Sequence, residues 1–368
     1  MPAELDQRTL NRATLARQLL LRRHDMAAKD AVAHLVGMQS QLPNPPYTGL
    51  WSRLERFGIE DLTGLMNRRE VVRGSLLRGT LHVATAEDFQ ELRPVVQPLF
   101  VKAARSFRKA TDLLDIDELL AYGAKVLADH EHTSADLKRL LGERWPECDA
   151  NLLLYSVQCL LPLVYVPPGG TWGKGGSSVL ATAESWFGRP LPTSTDPTSM
   201  ILRYLAAFGP SSVMDIQFWS GLTHLKQLVE ELRPRLRTFR SAKTGVELFD
   251  VPDGHLPDAD TPAPVRLLPE YDNLLMAHAD RTRVISDEHR ATTHTRNGMI
   301  AATVLVDGVV AGRWRMTRKK SAATVEVEPF TRFDSAVAEE VEVEAARLLV
   351  FAHEDAGTRE VVFKNPGS

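Results

Sequence analysis

Apolar residues recur at helical spacing from residue 8 to 23, with Leu15, Leu19 and Leu20 in one stripe, and from 28 to 40, with Ala31, Leu35 and Met38 in the next. The second run closes on GMQSQLPNPP, residues 37–46. Pro43 there withholds a backbone donor and biases Leu42 away from the α region, which predicts a helix end near Ser40 or Gln41. Residues 48–58 carry Leu50, Trp51, Leu54 and Phe57 at helical spacing before a stop signal at Gly58, and residues 59–69 give a short third helix. VVRGSLLRGTLHVAT, residues 71–85, mixes β-branched residues with glycines and predicts two short strands around a tight reversal. Helix, turn, helix and strand pair is the winged-helix order.

The order returns twice. Residues 116–129 form one helix, the next opens on Thr133 or Ser134 as N-cap, and residues 150–160 (ANLLLYSVQCL) form an apolar third. A hairpin with a Gly-rich tip is predicted to follow. Its GGTWGKGG does not make a phosphate loop, because Pro168 stands at the first glycine position and Gly175 rather than Ser or Thr follows Lys174. A flexible wing tip carrying Trp172 and Lys174 is the expectation. Beyond a proline-laden linker at 189–198, one helix stops at Gly209-Pro210, a second is N-capped by serine, and residues 222–232 form a third. A wing over 236–251 then turns at Lys243-Thr244-Gly245. Arg233, Arg235, Arg237, Arg240 and Lys243 load that wing with positive charge, and a third helix in a groove with a basic wing on phosphates is a DNA-binding device.

After a Pro- and Asp-rich loop at 252–264 the chain changes character. Residues 299–320 predict a β-hairpin turning at Asp307-Gly308, SAATVEVEPF (321–330) a third strand, and residues 334–355 an acidic closing helix with Val337, Val341, Ala345, Leu348 and Leu349 inward. The predicted fold class is α+β, with three tandem winged-helix units and a C-terminal β-hairpin/sheet with its closing helix. The expected units are residues 1–112, 113–190, 195–255 and 265–368.

Composition narrows the function classes. A chain of 368 residues, 43% hydrophobic and 25% charged, has the make-up of a soluble multidomain protein. It has no membrane-length apolar run and its start lacks a signal-peptide core, so a cytoplasmic location is expected. Cys148 and Cys159 are too few for a disulfide framework or a thiolate zinc site. His289 and His294 have no metal-ligand pattern around them, and neither metal nor cofactor is expected. The net charge of −3 conceals segregation. Residues 296–320 hold Arg296, Arg313, Arg315, Arg318, Lys319 and Lys320 against Asp307 alone, whereas residues 321–355 hold nine acids and two arginines. The basic block can project from a sheet edge towards a duplex; solvated strand-end charge is the plain alternative.

Gln39 and Gln41 are the chemical candidates. Residues i and i+2 of a helix point about 200° apart, so both amides can address one cleft only where the helix breaks. Each then offers an acceptor oxygen and two donor hydrogens. A helix C-cap beside a Pro-rich turn is the plain reading of the same spacing.

RGTLHVAT (78–85), AAFGPSSVMDIQFWSGL (206–222), LLPEYDNLLMAHADRTRV (267–284) and TVLVDGVVAGRWR (303–315) resemble, in order and over nearly the whole chain, the AlkZ-like family of bacterial DNA glycosylases. The resemblance implies three winged-helix units in a C-shaped basic cleft around duplex DNA. It implies excision of N7-alkylated purines, including bulky natural-product adducts and interstrand crosslinks, in DNA repair or antibiotic self-resistance. The family signature is Gln-Φ-Gln, with a Gln-Φ-Asp sister branch. Gln39-Ser40-Gln41 matches both glutamines, while Ser40 replaces the usual aliphatic centre, so the catalytic role is carried to Gln39 and Gln41 alone. The implied partner is double-stranded DNA bearing alkylated purines, bound by a nucleoid-associated monomer.

Candidate DNA contacts are Arg78, His82, Lys174, Arg237, Arg240, Lys243, Arg313, Arg315, Arg318, Lys319 and Lys320. His82 is open to a second reading as a satisfied core histidine, and Asp272, Asp280 and Arg281 suggest an internal Asp–Arg pair bracing the sheet. An N7-alkylguanine is already cationic and needs no strong acid to leave, so oriented amides that place water and stabilise an oxocarbenium suffice. Glutamine cannot act as a base at neutral pH, and no lysine stands out as a Schiff-base nucleophile, which implies a monofunctional glycosylase. The competing class is a non-catalytic winged-helix regulator or architectural protein whose glutamines only cap a helix.

Overall fold

A computed structural model describes residues 2–107, 114–129, 131–176, 179–294 and 298–366. Three times the chain runs helix, short strand, helix, helix, hairpin. The first pass comprises helix Ala28–His34, strand Met38–Gln39, helices Pro45–Arg53 and Ile59–Asn67, and strands Val71–Ser75 and Leu81–Thr85. The second comprises Ile116–Asp129, His132–Thr133, Ser134–Arg144, Ala150–Leu160, Leu163–Val166 and Val179–Thr182. In the third, helices Thr198–Phe208, Val213–Ser220 and Lys226–Leu232 precede strands Arg237–Ser241 and Glu247–Asp250, and Ser211 bridges Phe249 in place of the short strand. The N-caps are local devices: Thr133 and Ser212 each accept from the backbone N–H of an aspartate three residues on, which reciprocates, closing a capping box.

Tertiary pairing joins these passes. The first two hairpins, flanked by the short strands Met38–Gln39 and His132–Thr133, form one six-stranded sheet across a seam where Arg73 faces Tyr165 and Gly74 faces Val164. A Cβ at Gly74 would lie 2.9 Å from the Leu163 carbonyl, so the seam requires glycine there. Strand Ala3–Leu5 adds in parallel to the third hairpin. Helices Ala86–Val95 and Gln97–Phe107, which the hydrophobic pattern did not single out, lead from the first pass to the second, and the former starts at an N-cap made by Thr85. Phe89, Leu92 and Phe100 on them pack in one core with Val164, Tyr204 and Trp219.

The C-terminal sheet orders Arg266–Leu268, Thr303–Val306, Val309–Lys319, Ala322–Pro329 and Thr358–Phe363. Its central hairpin turns at Asp307-Gly308 as expected, and the helix Ser335–Ala352 buries Val341, Ala345, Leu348 and Leu349 completely. Phe351 on that helix packs on Trp51, Phe57 and Trp172 with ring centroids 5.6–5.9 Å apart.

Several local expectations are corrected. The second helix ends at His34 rather than near Ser40, because Val36 (φ 54) and Gly37 (φ 87) turn the chain left-handed well before Pro43. The prolines open the next helix instead, with Pro45 and Pro46 in its first turn, where missing N–H groups cost nothing. Gly58 is the N-cap of the following helix, not the stop of the previous one. The Gly-rich tip is braced: Gly173 N–H donates to Asn44 at 2.8 Å, and Trp172 is half-buried against Tyr47, leaving Lys174 exposed. Asp272 pairs with Arg53, at 2.8 and 2.9 Å in a fully buried fork, rather than with Arg281. Among the described residues, no helix is long and apolar enough to cross a membrane.

Candidate active site

Gln39 lies in a strand, opposite His82 of Leu81–Thr85, and Ser40 N–H extends the pairing by donating to the Leu81 carbonyl at 2.7 Å. Alternation along an extended segment places residues 39 and 41 on one face and 40 on the other. The spacing therefore needs no fraying helix. Ser40 is completely buried, and its carbonyl and hydroxyl accept from Arg73 Nε at 3.0 and 3.2 Å. Gln39 is buried and Gln41 exposed.

Both amides are oriented by the same reversal. Gln39 Oε1 accepts from Arg78 Nη2 at 2.9 Å, and Gln41 Oε1 accepts from the Leu81 N–H at 2.9 Å. Since a donor addresses each oxygen, the amide orientations are decided by chemistry rather than by shape. One lone pair on each oxygen and both NH2 groups remain without a hydrogen bond among the described residues.

Two arginines brace this segment without a carboxylate partner among the described residues. Arg73 stacks over Tyr165 at 4.9 Å, and burial pulls its guanidinium below the ordinary arginine value. Arg78 is half-buried, and desolvation, reinforced by Arg281, brings it down to about 10, so it stays charged near neutrality. His82 donates from Nδ1 to the Thr80 carbonyl at 2.9 Å, which leaves Nε2 to accept from Arg78 at 3.3 Å. Burial and that neighbouring cation push His82 down to about 3, fixing it as a neutral ring. It is a satisfied core histidine.

Gln41, Arg78 and Leu81 line a cavity of about 550 Å³ where the three repeats meet. Leu99 and Phe100 of the connecting helix, Tyr155 and Cys159 of the second repeat and Gly221 of the third close its other walls. Desolvation raises Tyr155, Cys159 and Tyr165 above their ordinary values, so each is protonated near neutrality. Among the described residues, no carboxylate, histidine or lysine is in the lining.

The remaining basic candidates fall into two groups. Arg237 donates to Asp250 and to the Gly254 carbonyl, both at 2.6 Å; Arg313 holds Glu328, Arg315 holds Glu326 and Arg318 holds Asp355. Arg240, Lys243, Lys319, Lys320 and Lys174 are exposed, Arg240 reaching only the Gly245 carbonyl and Lys243 only Thr282. Arg296, counted in the basic block, lies outside the described residues. The sequence reading missed Arg73, whose one signal is a lone cation amid β-branched residues of VVRGS, and the helices that wall the cavity.

A sequence profile described as DNA glycosylase AlkZ-like matches residues 32–351. The chain is similar in structure to the Streptomyces sahachiroi DNA glycosylase AlkZ, with a TM-score of 0.76 at 20% identity, over 98% of this chain and 100% of that one. No curated protein matches the chain. The class is thereby an enzyme acting on DNA, a glycosylase, and the regulator reading gives way. Within that class, the chain belongs to the AlkZ-like DNA glycosylase family.

Proposed function

We propose that the protein releases cationic N7-alkylpurines from duplex DNA as a monofunctional, monomeric glycosylase, with Gln39 and Gln41 as its catalytic residues. The three repeats act as winged-helix units forming a C-shaped cleft, and the C-terminal sheet with its closing helix is the fourth expected unit. The observation that carries this reading is the cavity wall: beside Gln41 it holds one further amide, Gln158, with aromatics, a serine, a thiol and one guanidinium, and among the described residues no group able to take a proton near neutral pH. A site without a base suits a substrate whose leaving group is already activated.

The C1′–N9 bond breaks with its electron pair moving into the purinium ring, which leaves as a neutral base. Water adds to C1′ and its proton passes to solvent. The amide dipoles orient that water and stabilise positive charge developing on the sugar, and their own bonds to Arg78 and Leu81 spare them reorganisation during reaction. Of the basic candidates, those without a carboxylate partner, Lys174, Arg240, Lys243, Lys319 and Lys320, are the ones free to meet phosphate.

Duplex DNA carrying one N7-methylguanine, treated with alkali after reaction, tests this. Wild-type protein should leave alkali-labile sites without direct strand breaks and should spare undamaged guanine. Gln39→Ala with Gln41→Ala should slow release by about 100-fold or more, the scale of losing a preorganised polar group. Release at the wild-type rate by that double variant sinks the mechanism.

A further inference from the structure

Arg78 occupies the reversal of the first hairpin in the left-handed region, at φ 56, followed by Gly79 at φ 70. A bulky residue at positive φ is strained, and here the strain turns the side chain inward. Arg78 is half-buried at the cavity wall, with Nη1 donating to the Trp219 carbonyl at 2.6 Å, Nη2 to Gln39 Oε1 at 2.9 Å and to His82 Nε2 at 3.3 Å, and a buried Nε without a partner among the described residues. Trp219 lies in the last turn of helix Val213–Ser220, so its carbonyl is at the negative end of that helix. The third repeat is pressed against the reversal: Gly221 (φ 84) caps the helix, and a Cβ there would lie 3.0 Å from Arg78 Cα.

A half-buried, desolvated cation with no carboxylate partner among the described residues and one orphaned donor is a poor way to stabilise a fold. What it supplies instead is a directed, charge-assisted bond to one acceptor. We propose that Arg78 is a positioning residue for Gln39: anchored on Trp219 of the third repeat, it holds the Gln39 oxygen through one lone pair and so fixes the orientation of the amide, leaving the second lone pair for water and the developing charge. This rests on the reading of Gln39 as catalytic. It also removes Arg78 from the DNA-contacting residues, because both terminal nitrogens are engaged within the protein.

A double-mutant cycle on the full chain separates the possibilities. Single-turnover release from duplex DNA with one N7-methylguanine is measured for Arg78→Met, Gln39→Ala and the pair, with affinity for undamaged duplex measured alongside. Loss of a bond to a charged group predicts release about 10- to 100-fold slower in Arg78→Met. DNA affinity should be unchanged, and the pair should be no slower than Gln39→Ala alone. Multiplying losses, or a fall in affinity that matches the fall in rate, overturns the proposal in favour of an independent or phosphate-contacting role. A normal rate for Gln39→Ala alone removes the catalytic reading of Gln39, and the positioning role with it. Should Arg78→Met fail to fold, Arg78→Lys carries the same cycle, since an ammonium keeps the charge but lacks the fork that serves both acceptors. A loss absorbed by Gln39→Ala again supports the proposal, and a multiplied one overturns it.

Discussion

The C-terminal sheet and the Gln39–Gln41 segment both hold arginines, and they use them oppositely. On the sheet, cross-strand carboxylates hold the cations: Arg313 with Glu328 and Arg315 with Glu326, while Arg318 meets Asp355 beyond the closing helix. Around the glutamines, Arg73 is buried and Arg78 half-buried, and they bond to carbonyls, a serine, an amide and a histidine, without a carboxylate among the described residues. The segment that looks basic in the sequence has much of its charge paired off, and the uncompensated charge is inside, where it orients neutral groups. Local charge counts therefore say little about where electrostatic work is done; what matters is whether a counter-charge is in reach.

Three measurements press on this contrast. The largest effect should come from Arg53, which is fully buried where Arg78 is half-buried and which is paired with Asp272. Asp272→Asn should destabilise the protein by about 3–5 kcal/mol in urea unfolding, because it strands a buried cation. A loss below about 1 kcal/mol would show that an unpaired buried arginine is cheap in this fold, and the distinction between the two regions would collapse.

Next is acid sensitivity. His82 is held near 3 mainly by burial and then by Arg78, against an ordinary value of 6.5. Between those values the unfolded chain binds a proton that the native ring refuses, so stability is full above about pH 6.5 and declines as pH falls. The decline should reach about 2 kcal/mol by pH 5 from His82 alone. His278, buried and likewise pushed down to about 3, adds to it. The sheet carboxylates Glu326 and Asp355 are shifted downward by their arginines, so their contribution is lost only at lower pH. His82→Gln should remove about half of the slope between pH 6.5 and 5; an unchanged slope would assign it elsewhere.

The smallest effect concerns DNA. Lys319→Ala with Lys320→Ala should lower the slope of log affinity against log salt by about 0.9 for each phosphate left without its lysine. Arg315→Ala and Arg318→Ala should leave it unaltered, since Glu326 and Asp355 hold those cations. Equal slope changes would mean that the carboxylates yield to phosphate when DNA binds.

Much of the architecture was legible because it is written locally. The N-caps at Thr133 and Ser212, the Asp307-Gly308 turn and the inward face of the closing helix each depend on residues a few positions apart. The two glutamines could be singled out only through the family resemblance, since their spacing alone also reads as a helix C-cap. Their conformation could not, since a short apolar run suits helix and strand alike and only the partner strand Leu81–Thr85 makes 38–39 extended. The left-handed pair Val36-Gly37, rather than the conspicuous Pro43, had the last word on the helix end.

The sequence by itself determined the order of elements, the apolar faces that must be buried and the amide pair that invites chemistry, because periodicity and capping act over one or two turns. Only the tertiary structure decided which way those amides point, which arginines are neutralised and how three repeats close one cavity. Those outcomes depend on partners 39 residues apart for Gln39 and Arg78 and 219 apart for Arg53 and Asp272. Desolvation and pairing are properties of the folded neighbourhood, and no window of sequence contains it.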